Sequence, residues 1–308
     1  MSRYLALKER KIEYQLYDPQ PGETRTLVFL HEGLGCVSMW KDFPEKLAEK
    51  TGCGVLVYSR FGYGQSDPCE LPRTSDFMHE EGLDVLPRII EQTGIGEHIL
   101  IGHSDGGSIG LIYAGGIRPA SLKGVVSIAA HVFCEQITVD SIRKARTEWE
   151  RGNLKEKLHR YHMKNTETAF KGWNEVWLDP AFMEWNIEEY LFTIKVPVLA
   201  VQGEEDPYGT RAQVDSIVRN CRGRAHPLLI PDADTHRISK KKTFCSISYP
   251  PSSGIPVQGN RTKSFQPFIS GFRAISLAVG GHGTSGGGGR SGVTWSGFKC
   301  RSVTGHRT

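Results

Sequence analysis

The segment Gly102-His103-Ser104-Asp105-Gly106 sets a serine between an apolar run, His98-Ile99-Leu100-Ile101, and a stretch with helical character. A serine at such a strand-to-helix junction occupies a sharp, exposed turn. The flanking glycines let neighbouring backbone pass without Cβ clashes. Glycine-rich chains produce bare G-x-S-x-G matches by chance, so the weight rests on the strand before the motif and the helix after it.

That junction repeats a rhythm that runs from residue 11 to residue 232. Short β-rich apolar runs alternate with longer amphipathic ones, the pattern of helices laid on both faces of a mostly parallel sheet. The runs predict strands at 26–31, 54–60, 98–103, 122–131, 196–203 and 225–231, with an edge strand near 12–17. Helices are predicted at 39–50, 77–92, 106–114 and 210–221. Leu83, Leu86, Ile89 and Ile90 share one face of the second helix.

Between residues 134 and 193 the rhythm changes to charged, helix-prone sequence rich in aromatics, among them Trp149, Phe170, Trp173, Trp177 and Trp185. This reads as an inserted helical cap. Its aromatics serve either to pack the cap on the core or to line a substrate pocket, with Trp173 and Trp177 assigned to substrate. The expected organisation is a core in two parts, 1–133 and 196–236, a cap over 134–195, and a tail over 237–308.

The tail stands apart in charge and composition. It carries 11 Lys plus Arg and no Asp or Glu, which leaves the rest of the chain at −7 within an overall +4. With 13 Gly and 12 Ser in 72 residues it shows neither helical nor strand periodicity, and it is expected to be disordered. A basic arm of this kind raises nucleic acid or membrane as partners, but aromatic–basic interleaving is missing and neither is expected.

No run approaches the roughly 18 apolar residues of a membrane span, and Met1-Ser2-Arg3-Tyr4 is not a secretory start. A cytoplasmic location is expected. The seven scattered cysteines form no C-x-x-C pair, so they read as reduced thiols, with no metal and no cofactor expected.

Upstream of the serine, the strand Leu27-Val28-Phe29-Leu30 ends in His31-Glu32-Gly33-Leu34-Gly35, a loop able to turn the Gly33 N–H toward Ser104. Asp105 follows the nucleophile at a helix N-terminus and offers a second N–H, completing an oxyanion hole. Glu32 and Asp105 also bring two carboxylates near the serine, which disfavours anionic substrates and favours cationic ones. In the bland alternative, Asp105 complements its helix and Glu32 points to solvent.

A third landmark is Arg60-Phe61-Gly62-Tyr63-Gly64-Gln65-Ser66-Asp67. In this order and spacing, the three motifs resemble the α/β-hydrolase superfamily over about residues 10–235. The resemblance implies a serine nucleophile, then an acid, then a histidine along the chain. Asp206, in the loop after Val198-Leu199-Ala200-Val201-Gln202-Gly203, stands at the acid position.

His236 is the base by elimination, since His103, His31 and His131 read as structural and His226 falls at the far end of the sheet. His236 departs from the family, arriving one residue late and without the preceding glycine. Codons for residues 234–241, read one base out of phase, can spell His-Thr-Pro-His-Ile-Glu-Lys, the family's pattern at this point. One lost nucleotide near codon 233 would explain both the displaced histidine and the tail.

The resulting expectation is a serine hydrolase acting on a small to medium carbonyl substrate, a carboxylic ester or related acyl compound, through an acyl-enzyme. The alternative is an impaired hydrolase-like protein that lacks its base and last core helix.

Overall fold

In the computed structural model, residues 3–231 apart from Lys8 are described. Eight strands form one sheet: β1 (Arg3–Leu7), β2 (Arg10–Tyr17), β3 (Thr26–Leu30), β4 (Gly54–Tyr58), β5 (His98–His103), β6 (Leu122–Ile128), β7 (Val198–Gly203) and β8 (Ala225–Ile230). Their order is β1-β2-β4-β3-β5-β6-β7-β8. The first two strands pair antiparallel, and every pairing from β4 to β8 is parallel.

Strands β3, β4 and β5 are buried along their whole length, as expected where helices cover both faces. Successive side chains alternate between those faces. Val28, Leu30, Leu56, Leu100 and Val125 join one core cluster, while Leu27, Phe29, Val55, Ile99 and Ile101 join the other.

The helices are α1 (Phe43–Thr51), α2 (Phe77–Glu80), α3 (Leu86–Gln92), α4 (Asp105–Gly116), α5 (Gln136–Arg151), α6 (Leu154–His162), α7 (Thr166–Trp177), α8 (Glu188–Leu191) and α9 (Arg211–Asn220). Ile109, Ile112, Val214 and Ile217 of α4 and α9 pack on the first face, and Leu47 of α1 packs on the second. Helices α5 to α8 all fall between β6 and β7, within the stretch where the sequence rhythm changes.

Three elements depart from the expected pattern. The helix expected at 39–50 is a 3₁₀ turn at Val37–Trp40 followed by α1. Lys41, at φ 54°, separates the two, and Pro44 starts the new helix. The helix expected at 77–92 is α2 and α3 joined by a π turn, Glu81–Val85, one residue short of Pro87. Proline brings no amide to the preceding turn, so the backbone widens there. Strand β1 was not expected at all; it pairs only along the sheet edge, and Tyr4 is exposed. The expected tail and the out-of-frame segment lie outside the described residues.

Candidate active site

Ser104 stands between β5 and α4 with φ 51° and ψ −121°. This is a region that L-residues avoid unless their surroundings hold them there. The Ser104 N–H donates to Ile128 O at 2.8 Å, and its carbonyl accepts from Gly107 N–H at 2.8 Å, so the turn is pinned on both sides. A Cβ on Gly102 would lie 2.2 Å from Gly106 O, and one on Gly106 would lie 2.1 Å from Leu30 O. Backbone contact therefore sets the glycine spacing around the serine.

A pocket opens over this turn. Its walls include Ser104, Glu32, Gly33, Asp105, Trp173, Trp177 and Asp206, so seven of the eight residues expected at the site come together. The eighth, His236, lies outside the described residues. The free space is about 60 Å³, well below the roughly 300 Å³ at the lower end of ligand pockets. Trp173 accounts for part of that closure, since its indole lies where a Gly33 Cβ would stand, 2.2 Å from Cδ1 and Nε1.

The loop after β7 that carries Asp206 is braced from the opposite side by α5. Thr138 Oγ1 donates to Tyr208 O and Ser141 Oγ to Pro207 O, each at 2.5 Å. Asp206 Oδ1 accepts from Tyr208 N–H at 2.9 Å. Burial, together with Glu32 and Asp206, pushes the Tyr208 phenol up to about 12, so it stays protonated at neutral pH.

Asp105 behaves differently from an ordinary residue at a helix start. Its side chain is 1% exposed and faces the equally buried Arg60, with Asp105 Oδ2 3.7 Å from Arg60 Nη2. Burial raises the Asp105 carboxyl, and the Arg60 charge opposes that rise. Glu32, by contrast, is only partly buried.

His31 is neutral, held well below the ordinary imidazole range by burial and by Arg60. Its Nε2 accepts the Arg60 backbone N–H at 3.1 Å, which leaves the ring proton on Nδ1 to donate to Glu32 O at 2.7 Å. His162, at the end of α6, accepts from Gly64 N–H and donates to Leu34 O at 2.9 Å. A helix beyond β6 thus grips the loop that carries Gly33.

His131 and Tyr208, which no motif in the sequence marks, also line the pocket. His131 Nε2 donates to Tyr208 O at 3.0 Å, and its ring meets the Trp177 indole edge-on at 5.2 Å. The only available signal was the position of Tyr208 two residues after Asp206. Among the described residues, no cluster of His, Cys, Asp and Glu could hold a metal, and no helix is long and apolar enough to cross a membrane.

An eight-stranded, mostly parallel sheet with a serine turn at the end of a central strand defines a class. A family model for the alpha/beta hydrolase fold matches residues 25–190, and the chain belongs to that family. It is similar to a proline iminopeptidase of Saccharolobus solfataricus, 38% identical over 106 residues, 33% of this chain and 32% of that protein. It is also similar to an sn-1-specific diacylglycerol lipase, ABHD11, of Danio rerio, 29% identical over 103 residues, 33% of this chain and 31% of that one. These matches span about a third of the length of each relative. Among solved structures, that of VinJ aligns with a TM-score of 0.61 at 20% identity, covering 78% of this chain and 96% of that one.

Proposed function

We propose that the chain is a serine hydrolase that cleaves a small to medium carbonyl substrate, a carboxylic ester in the first instance. The observation that carries this reading is the backbone of Ser104, strained at φ 51° and open to a pocket that Asp206 also lines. Ser104 Oγ attacks the carbonyl carbon and its proton passes to the imidazole of His236, oriented by Asp206. The oxyanion accepts from the N–H groups of Gly33 and Asp105. Collapse expels the alcohol, which takes the proton from the imidazolium. Water, deprotonated by the same base, then releases the acid and restores Ser104. The restricted pocket favours a short acyl group.

The test is turnover of a short-chain p-nitrophenyl ester by the chain and by Ser104→Ala. Removing an activated nucleophile costs more than about a hundredfold in kcat. A variant that keeps more than that overturns the reading.

A second reading has its own support. Glu32 faces the pocket while Arg60 offsets Asp105, so the pocket carries net negative charge and suits an acyl group bearing an amine. The proline iminopeptidase relative is named as a peptidase, and an amide substrate fits the same acyl chemistry. An amino-acid ester should then exceed its uncharged isostere in kcat/KM, and Glu32→Gln should narrow the gap. Equal values for the two substrates end this reading.

A further inference from the structure

The carbonyls of the loop after β3 are taken, one after another, by donors on the side away from solvent. Arg60 Nη1 donates to His31 O at 2.8 Å, and Arg60 Nη2 donates to Glu32 O at 3.0 Å. Glu32 O also accepts from His31 Nδ1 at 2.7 Å and from Gly35 N–H at 3.1 Å. Arg60 itself is 1% exposed. Burying a guanidinium is costly unless its partners are well placed, and this one is spent largely on backbone oxygens.

The Glu32 carbonyl belongs to the same planar unit as the Gly33 amide. In a trans peptide the C=O and the N–H point in opposite directions. A Glu32 carbonyl drawn toward buried Arg60 therefore turns the Gly33 N–H away from the guanidinium, and Gly33 and Ser104 both line the pocket. The same guanidinium faces the carboxylate of Asp105, whose amide lies at the start of α4.

We propose that Arg60 is a positioning residue for the oxyanion hole, aiming the Gly33 N–H by holding the Glu32 carbonyl and steadying Asp105 by holding its carboxylate. One side chain, two strands away from the serine in the sheet, then sets both donors. Its backbone N–H adds to this through His31, because accepting at Nε2 keeps the His31 proton on Nδ1, where it meets the same carbonyl. The inference rests on the serine hydrolase reading.

Two variants test it in the full chain. Arg60→Lys keeps a charge opposite Asp105, but one ammonium cannot reproduce the two-pronged grip on His31 O and Glu32 O. Arg60→Met with Asp105→Asn removes both charges and leaves neither ion buried alone. Each is expected to lower kcat by about 10–100-fold, less than the 10²–10³ of deleting a hole donor outright, with KM within about threefold. The readout that separates aim from packing is a trifluoromethyl ketone, whose serine adduct places an oxyanion in the hole. Its Ki should rise by the same factor by which kcat/KM falls.

Arg60→Lys with parental kcat overturns the proposal, as does a fall in kcat that leaves the ketone's Ki unchanged. So does a loss in which KM rises as much as kcat falls. If the double variant does not fold, Arg60→Lys decides alone. Ser104→Ala is assayed alongside. Turnover surviving there sinks the hydrolase reading itself, whereas an essential Ser104 with parental Arg60 variants sinks only the positioning role.

Discussion

The Asp105 carboxylate lies 3.7 Å from the Arg60 guanidinium, and neither side chain is more than 2% exposed. Neither Asp105 oxygen has a hydrogen-bond partner among the described residues, so the guanidinium is the main compensation for burying that charge. Breaking such a pair from one side costs about 3–5 kcal/mol, because the remaining ion is left buried. Asp105→Ala and Arg60→Met should each destabilise the fold by roughly that amount in urea titrations. The combined variant should cost at least about 1 kcal/mol less than the two together. Strict additivity would show that the pair is not coupled.

Gly33 and Trp173 form the second coupled pair. Alanine at 33 would drive its methyl into the indole, and overpacking of this kind costs about 1–3 kcal/mol. Gly33→Ala should therefore lower Tm, and Gly33→Ala with Trp173→Leu should recover most of the loss. A Gly33→Ala protein with parental Tm would mean that the indole does not sit on the loop.

Acid stability turns on buried imidazoles. His162 is held below its ordinary value by burial, against the pull of Glu32 and Glu13, with the Tyr63 ring packed on it and Gly64 N–H and Leu34 O at its nitrogens. The unfolded chain takes up a proton as pH falls through about 6.5 while the folded state resists. The stabilisation is complete above that pH and declines below it, by up to about 1.4 kcal/mol per pH unit for each such proton. His31 and His98 are shifted in the same direction. Gln at 162 can accept from Gly64 and donate to Leu34 without titrating, so His162→Gln should flatten the fall in Tm between pH 6.5 and 5. Parallel curves for the two proteins would contradict this.

The parts legible in the sequence were those set by local pattern. Strand β5 has the bounds the pattern predicts because an apolar run meets a glycine-flanked serine, whereas the place of Asp206 as the acid is what the family resemblance implies. Long-range pairings were not legible. Nothing local shows that Arg60 reaches the carbonyls of His31 and Glu32, or that His162 returns to Leu34, because those contacts exist only once the sheet order places β4 beside β3. The π turn before Pro87 hid inside a continuous helical pattern, and β1 hid because it is only five residues long and mostly not buried.

The position of His236, one residue later than the family's pattern, gives a prediction for the chain as a whole. Among the described residues, α1 is the one α-helix packed in the core cluster that holds Phe29, Ile101, Val126 and Val201. Members of this family carry a Gly-His pair after the last strand, and we propose that a nucleotide lost near codon 233 displaced it here. Restoring that nucleotide should raise soluble yield, Tm and esterase rate together. Equal values for the two forms would show that the tail belongs to the protein.

The most direct measurement of the central claim is mass spectrometry of the chain after exposure to a fluorophosphonate, which phosphonylates an activated serine. The account predicts one adduct, on the peptide containing Ser104, with ester turnover lost in step with labelling and no adduct in Ser104→Ala. An adduct on another residue, or full labelling of Ser104 that leaves ester turnover intact, would contradict it.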